Sequence, residues 1–346
     1  MKTLISSDVR LLANLIQEGK VVVFPTETVY GIGASTKNEV ACLRVYEIKG
    51  RPKDNPLIAH FHSIEEIEKV CVLGELGRKL LEKYAPGPLT LILPKKDKFL
   101  FPKELDTLAV RIPKNPVIRE WIKLSGGAIS APSANLSGRP SLTKLADVVR
   151  YFDGKVDGIL IAEEPSYGIE STVVSLVGEH PALLRPGSIE SKELKIILPE
   201  LVFPNPFETL PVESVSHVPL SPGTKYKHYA PSAQVLLVST DEFVQSLKAG
   251  FDPKATAWIG FSLSSNEEKG KVLSERKDVL SKEGEGSLEF DHFSFVSTNE
   301  EYTSKLYAFF EACDLAKVQT IICETPKPGK GWEGLINRLE KASLRK

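Results

Sequence analysis

Several short stretches of this 346-residue chain carry side chains suited to holding anions and polar groups. The first is Pro25-Thr26-Glu27-Thr28-Val29-Tyr30-Gly31-Ile32-Gly33, where hydroxyls and two glycines leave the end of an apolar run. Loops at that end of an α/β sheet are where ligands bind, so the stretch reads as a ligand loop or as an ordinary turn. A dinucleotide fingerprint needs a third glycine where Thr36 stands, and no G-x-x-x-x-G-K-S/T run is present. The second is Lys49-Gly50-Arg51-Pro52-Lys53-Asp54-Asn55-Pro56, with three cations in five positions and two stiffening prolines. An arginine fork and lysine point charges suit a polyphosphate, and a solvated loop is the alternative. His60 and His62 share a strand face, but no third metal ligand accompanies them; a polar contact from His60 is the other reading. In Thr107-Leu108-Ala109-Val110-Arg111 the alternation points Thr107, Ala109 and Arg111 one way. An arginine ending a buried strand pairs with an anion, either a neighbouring carboxylate or a ligand.

Ser130-Ala131-Pro132-Ser133-Ala134-Asn135-Leu136-Ser137-Gly138 offers small hydroxyl and amide groups suited to polar groups or phosphate oxygens. It holds no G-x-S-x-G elbow, and no hydrolytic triad is indicated. Glu170-Ser171-Thr172-Val173 and Leu184-Arg185-Pro186-Gly187 are further strand–loop junctions.

The elements around these stretches follow from periodicity. Leu11, Leu12, Leu15 and Ile16 repeat at helical spacing between a Ser7 or Asp8 cap and Gly19. Strands are predicted at Val21 to Phe24, Leu57 to Phe61, Leu89 to Leu93, Thr107 to Ile112, Ala128 to Ala131, Gly158 to Ala162, Ser171 to Val177 and Ala182 to Leu184. Helices are predicted at Asn38 to Ile48, Glu75 to Tyr84, Val117 to Leu124 and Leu145 to Phe152. Strand and helix alternate at first and less so later, which gives an α/β fold with a twisted, mixed sheet and an antiparallel portion. Residues 204–231 hold six prolines named by little periodicity, an extended interdomain linker. Beyond it the pattern restarts as a small α/β domain, interrupted by a polar stretch at 262–289 that reads as mobile. The resulting division is 1–202, a linker at 203–233, and 234–346.

Length agrees with two domains. The 44 basic and 45 acidic side chains nearly cancel, so strong global attraction to nucleic acid is not implied. Four widely spaced cysteines form neither a C-x-x-C pair nor a secreted disulfide framework. No signal-like or membrane-length apolar run is present, and the expectation is a soluble cytoplasmic protein.

Taken in order, P-T-E-T-V-Y-G-I-G, K-G-R-P-K-D-N-P-L, A-P-S-A-N-L-S-G, E-S-T-V-V, L-R-P-G-S-I and the linker's S-P-G-T-K-Y-K-H-Y-A-P resemble the two-domain threonylcarbamoyl-AMP synthases. That resemblance implies a YrdC-like first domain and a smaller Rossmann/flavodoxin-like C-terminal domain. It implies a nucleotidyltransferase that makes L-threonylcarbamoyladenylate from L-threonine, bicarbonate and ATP, releasing pyrophosphate. This is the first step of N6-threonylcarbamoyladenosine formation at position 37 of tRNAs reading ANN codons. By matching position, Lys49 and Arg51 meet the phosphates as catalytic cations. Asn55, Thr107, Ser133, Ser141, Arg185 and Tyr226 or Tyr229 complete the ATP site. Thr28, His60, Arg111, Ala131 and Ser171 hold threonine. Mg²⁺ comes with ATP, held by phosphate oxygens and not by a protein metal site. The further partners implied are a downstream threonylcarbamoyl transferase complex and a weak tRNA contact, with no membrane. Two departures are Thr224, where the family has methionine, and Trp332, where it has a smaller apolar residue. Competing readings are a nucleic-acid-binding module and a carbamoyltransferase, the latter disfavoured by the missing cysteine pairs.

Overall fold

The computed structural model describes residues 2–203, 229–248, 255–261 and 292–344. Asp8 caps the helix Val9–Gln17 by accepting from the amides of Arg10 (2.9 Å) and Leu11 (3.2 Å). Asn38 caps Glu39–Lys49 in the same way, and Gly50 ends it in the left-handed conformation (φ 60°). Those two caps fix where Lys49 and Arg51 leave the helix.

The first sheet has ten strands. They are β1 (Leu4–Ser6), β2 (Val22–Phe24), β3 (Gly31–Ser35), β4 (Ile58–His60), β5 (Leu89–Pro94), β6 (Thr107–Arg111), β7 (Ile129–Ala131), β8 (Gly158–Leu160), β9 (Thr172–Ser175) and β10 (Ala182–Arg185). Their order is β1-β8-β2-β3-β7-β4-β6-β5-β9-β10, with parallel and antiparallel pairs mixed. That is the twisted mixed sheet expected. β3 was not expected, because Gly31 and Gly33 read as loop residues. In the structure Gly33 lies in a strand so close to β7 that a Cβ would sit 2.7 Å from Ile129 Cγ2 and 3.0 Å from the Ser130 carbonyl. The glycine serves sheet packing there. β1 is short and half exposed, and the seven-residue helix Ile64–Val70 is also new; neither is long enough to show a clear period.

The second sheet is wholly parallel: β11 (Gln234–Val238), β12 (Thr256–Phe261), β13 (Phe293–Val296) and β14 (Thr320–Glu324), in the order β11-β14-β12-β13. The helices Thr240–Lys248, Asn299–Leu315 and Trp332–Ser343 pack with it. The expected mobile stretch at 262–289, and the linker apart from 203 and 229–233, lie outside the described residues.

The two sheet systems meet through polar, backbone and apolar contacts. Arg139 bonds Asp314 (2.6 Å), the Tyr151 hydroxyl bonds Glu311 (2.7 Å), and Ser191 Oγ bonds Glu333 (2.6 Å). Gly334, on the last helix, sits so near Gly187 that a Cβ would fall 2.6 Å from its carbonyl oxygen. Ile169 and Val29 join the apolar cluster of the second domain.

Candidate active site

The cleft is built where chain leaves the sheet. His60 and Arg111 end neighbouring parallel strands and pair in register, so both side chains start from one edge. Beside them, the Pro25–Val29 turn is locked by one hydroxyl. Thr26 Oγ1 donates to the Val29 carbonyl (2.7 Å) and accepts from the amides of Thr28 (3.2 Å) and Val29 (3.3 Å). Its single proton is thereby used, so Thr28 Oγ1 donates across 2.8 Å to Thr26 and keeps its lone pairs for the cleft.

Arg111 has the neighbouring carboxylate that its position suggested. One arm bonds Glu27 Oε1 (2.8 Å), with both side chains about 95% buried. Glu27 Oε2 accepts from the Lys114 amide (3.0 Å). Burial pushes the Glu27 carboxyl up, but Arg111 and that amide prevail and hold it below the ordinary carboxylate value. Arg111 Nε is buried without a partner, leaving one donor for a ligand. Next to it His60 bonds the Ile58 carbonyl through Nδ1 (3.0 Å) and stands edge-on to Phe24. Burial, and then Arg111, push its imidazole down to about 3, so it is neutral at physiological pH.

The cleft as a whole is cationic. Lys49, Arg51, Arg111, Arg139 and Arg185 line it, with Glu170 the one carboxylate in its wall among the described residues. Arg51 is braced by the carbonyls of Asn55 (3.0 Å) and Pro56 (3.3 Å), and burial lowers its guanidinium to about 10. Arg185 bonds Ser171 through its carbonyl (3.0 Å) and hydroxyl (3.1 Å). Tyr229 also bonds Arg185 and closes one side, its ring stacked on Tyr307 at 6.0 Å. It holds a positive φ of 75°, uncommon for a residue with a side chain.

Lys49 lines the cleft and is held by the protein's own acceptors. Its ammonium is buried and spends its donors on Ser133 O, Asn135 O and Asn135 Oδ1 (3.3 Å). Burial and neighbouring Arg51 hold it well below the ordinary lysine value. It pins the Ser133–Asn135 loop, and Ser133 Oγ donates to Asn135 Oδ1 in the same knot (2.6 Å).

Of the predicted residues, Thr28, Lys49, Arg51, His60, Arg111, Ala131, Ser133, Ser141, Arg185 and Tyr229 line the cleft. Asn55 stands behind Arg51, supporting it by its carbonyl, and Ser171 stands behind Arg185. Thr107 does not join them. It pairs with Pro94 at the opposite end of β6 from Arg111, about 13 Å away along an extended strand, so a shared face did not bring a shared site. Tyr226 lies outside the described residues. Sequence reasoning missed Glu27 as the partner of Arg111, Arg139 at the rim, and Arg338 behind Glu170.

Among the described residues no group of three or more His, Cys, Asp and Glu could hold a metal ion. The nearest carboxylates, Glu27 and Glu170, are both committed to arginines. A protein-built Mg²⁺ site does not fit the described part of this cleft. No described helix is long and apolar enough to cross a membrane.

Comparison with known proteins agrees with this geometry. A family model described as telomere recombination, covering Sua5, YciO and YrdC, matches residues 14–187. A second, for the threonylcarbamoyl-AMP synthase C-terminal domain, matches residues 189–343. A threonylcarbamoyl-AMP synthase of Pyrococcus abyssi is 37% identical over 97% of this chain and 94% of its own length. One from Bacillus subtilis is 37% identical over 96% and 91%. The crystal structure of P. abyssi Sua5 complexed with L-threonine has a TM-score of 0.76 at 33% identity, covering 99% of this chain and 97% of that one. With both domains matched nearly end to end and the motif residues gathered in one cleft, the chain belongs to the threonylcarbamoyl-AMP synthase family.

Proposed function

We propose that the protein makes L-threonylcarbamoyladenylate from L-threonine, bicarbonate and ATP, releasing pyrophosphate. The observation that carries this is the division of one cleft into two unlike ends. At one end a buried guanidinium, Arg111, keeps an unpaired Nε beside a neutral imidazole and a hydroxyl acceptor, Thr28. That set suits an amino acid: Arg111 takes the carboxylate and Thr28 accepts from the amine or side-chain hydroxyl. Neutral His60 adds no competing positive charge near the amine. At the other end Arg51 and Arg185 supply forked charge for a polyphosphate under the Tyr229 ring.

The chemistry then follows by positioning. Threonine's ammonium group gives up a proton, and the resulting amine condenses with bicarbonate, losing water, to give a carbamate. A carbamate oxygen attacks the α-phosphorus of ATP, and the bond to the β,γ-phosphates breaks to release pyrophosphate. Fixed cations stabilise the charge on the transferring phosphate, and no covalent protein nucleophile is required. Mg²⁺ enters as the ATP chelate, bound by phosphate oxygens. The adenylate passes to a threonylcarbamoyl transferase complex that modifies tRNA, with a weak tRNA contact on this protein. The test is pyrophosphate release from ATP with threonine and bicarbonate each present or omitted. Release needing both, with an AMP–threonine adduct as product, supports the reading; release indifferent to threonine sinks it.

A further inference from the structure

Glu170 is the carboxylate of the cleft wall, yet most of what holds it comes from the other domain. Its Oε2 accepts from Arg338 Nε (2.9 Å) and from the Tyr307 hydroxyl (3.2 Å), both on C-terminal helices. Arg338 is fully buried and is itself anchored by Pro186 O (3.0 Å) and Asn337 Oδ1 (2.8 Å). Its guanidinium lies 4.9 Å from the Tyr229 ring centre. On the cleft side, Glu170 Oε1 accepts from Ser141 Oγ (2.5 Å).

A hydroxyl has one proton. An ionised Glu170 can only accept, so the Ser141 proton points away from the cleft and its lone pairs point in. Ser141 then suits a donor on the nucleotide, a ribose hydroxyl or the adenine amine, and repels a phosphate oxygen. We propose that Arg338, with Tyr307, is a positioning residue of the active site: the C-terminal domain holds Glu170 as an anion and so fixes Ser141 as an acceptor for the nucleoside part of ATP. This rests on the adenylate-forming reading above.

Interdomain adhesion alone does not account for Arg338. Tyr151–Glu311 and Ser191–Glu333 also tie the domains, and none of those four residues lines the cleft. The groups acting on Glu170 are Arg338, Lys341 and Tyr307 from the C-terminal helices, Arg185 from β10, Tyr229 beside it, and Lys49. Burial pushes the Glu170 carboxyl up, but Arg338 and then Arg185 bring it down to about 2. With Arg338 removed, burial is less opposed, Glu170 takes up a proton at higher pH, and it can donate to Ser141 and reverse its polarity.

The experiment compares full-length wild type, Arg338→Met, Arg338→Lys and the interface control Ser191→Ala from pH 5.5 to 8.5. Threonine-dependent pyrophosphate release is the readout. Arg338→Met is expected to raise KM for ATP about tenfold, to move KM for threonine less than about twofold, and to raise the Glu170 carboxyl far enough that an acid limb of kcat/KM for ATP, out of range in wild type where that carboxyl sits at about 2, enters the measured window. Arg338→Lys recovers much of this and Ser191→Ala changes neither. Equal rises in both KM values with an unmoved acid limb would reduce Arg338 to adhesion. If Arg338→Met does not fold, Tyr307→Phe must raise KM for ATP, by less, and leave KM for threonine in place; an unchanged KM for ATP overturns the proposal.

Ser141→Ala, titrated with ATP and with inorganic tripolyphosphate, tests the second half. Weaker ATP and unchanged tripolyphosphate affinity supports it, and an equal loss for both shows that Ser141 meets phosphate. If wild type releases no pyrophosphate with threonine, the reaction assignment fails separately, and calorimetric ATP affinity reads the same pH shift.

Discussion

Two buried arginine–glutamate pairs flank this cleft, and they face opposite ways. In Arg111–Glu27 the arginine lines the cleft and the carboxylate stands behind it. In Arg338–Glu170 the carboxylate lines the cleft and the arginine stands behind. The first pair lies within one domain, between a turn and a neighbouring strand end, while the second joins residues 168 apart across the domain boundary. A buried pair contributes little net stability against its desolvation, so what each secures is placement. The first offers a positive charge to a carboxylate ligand. The second keeps a negative charge where only donors are welcome, amid cations that would otherwise accept any anion. One end of the cleft is therefore complete within its own domain, and the other depends on the second.

The largest break in this comparison is Arg111→Met. It removes the cation that meets the ligand and strands Glu27, so kcat/KM for threonine should fall by about a thousandfold. Steady-state pyrophosphate release at varied threonine measures it; a loss under tenfold would mean the carboxylate binds elsewhere. Glu27→Gln keeps the cation and loses its partner. The buried guanidinium is then uncompensated, with about 3–5 kcal/mol of stability lost and KM for threonine raised about tenfold. Urea unfolding and the same assay check the two parts, and an unchanged KM would show that Arg111 needs no orienting anion.

These pairs also mark what the sequence could and could not disclose. Asp8, one of two cap candidates, marked the start of its helix because a cap is a local hydrogen bond. Alternation in β4 and β6 placed His60 and Arg111, and strand pairing then brought their ends together. β3 stayed hidden because Gly33 is explained by neighbours about a hundred residues away, at Ile129 to Ala131. Lys49 sat in a charge run that suggests phosphate, yet its carbonyl partners lie 84 and 86 residues on, which no local pattern encodes. Glu170 stood in a short motif, but its bond to Arg338 is tertiary.

A smaller effect separates the pairs by pH. Both carboxyls are held below their ordinary value, so their stabilisation is complete above pH ~4.5 and is lost as pH falls through the folded values. For Glu170, folded at about 2, the loss between those limits is roughly 3 kcal/mol. The apparent unfolding midpoint of wild type should therefore drop between pH 5 and 3, and Glu170→Gln should flatten that drop. An equally steep fall in the variant would place the acid sensitivity in other groups.

The smallest effect comes from an interdomain bond that touches neither pair. Tyr151→Phe removes the hydroxyl that donates to Glu311 Oε1 and leaves cleft residues alone. Burial raises the Glu311 carboxyl above its ordinary value, and the Tyr151 hydroxyl is the largest influence opposing that rise. A raised carboxyl favours the folded state most at low pH and costs stability as pH climbs toward its folded value. Without Tyr151 that value moves higher, so the variant should lose roughly 1 kcal/mol at pH 7.5 and less at pH 5. Thermal unfolding at the two pH values measures the difference. Unchanged KM values for ATP and threonine are expected alongside it, because domain contact survives and the Arg338–Glu170 bond is untouched. If this variant raised KM for ATP as Arg338→Met is expected to, general docking of the second domain, and not the specific anion at Glu170, would be what the nucleotide end requires.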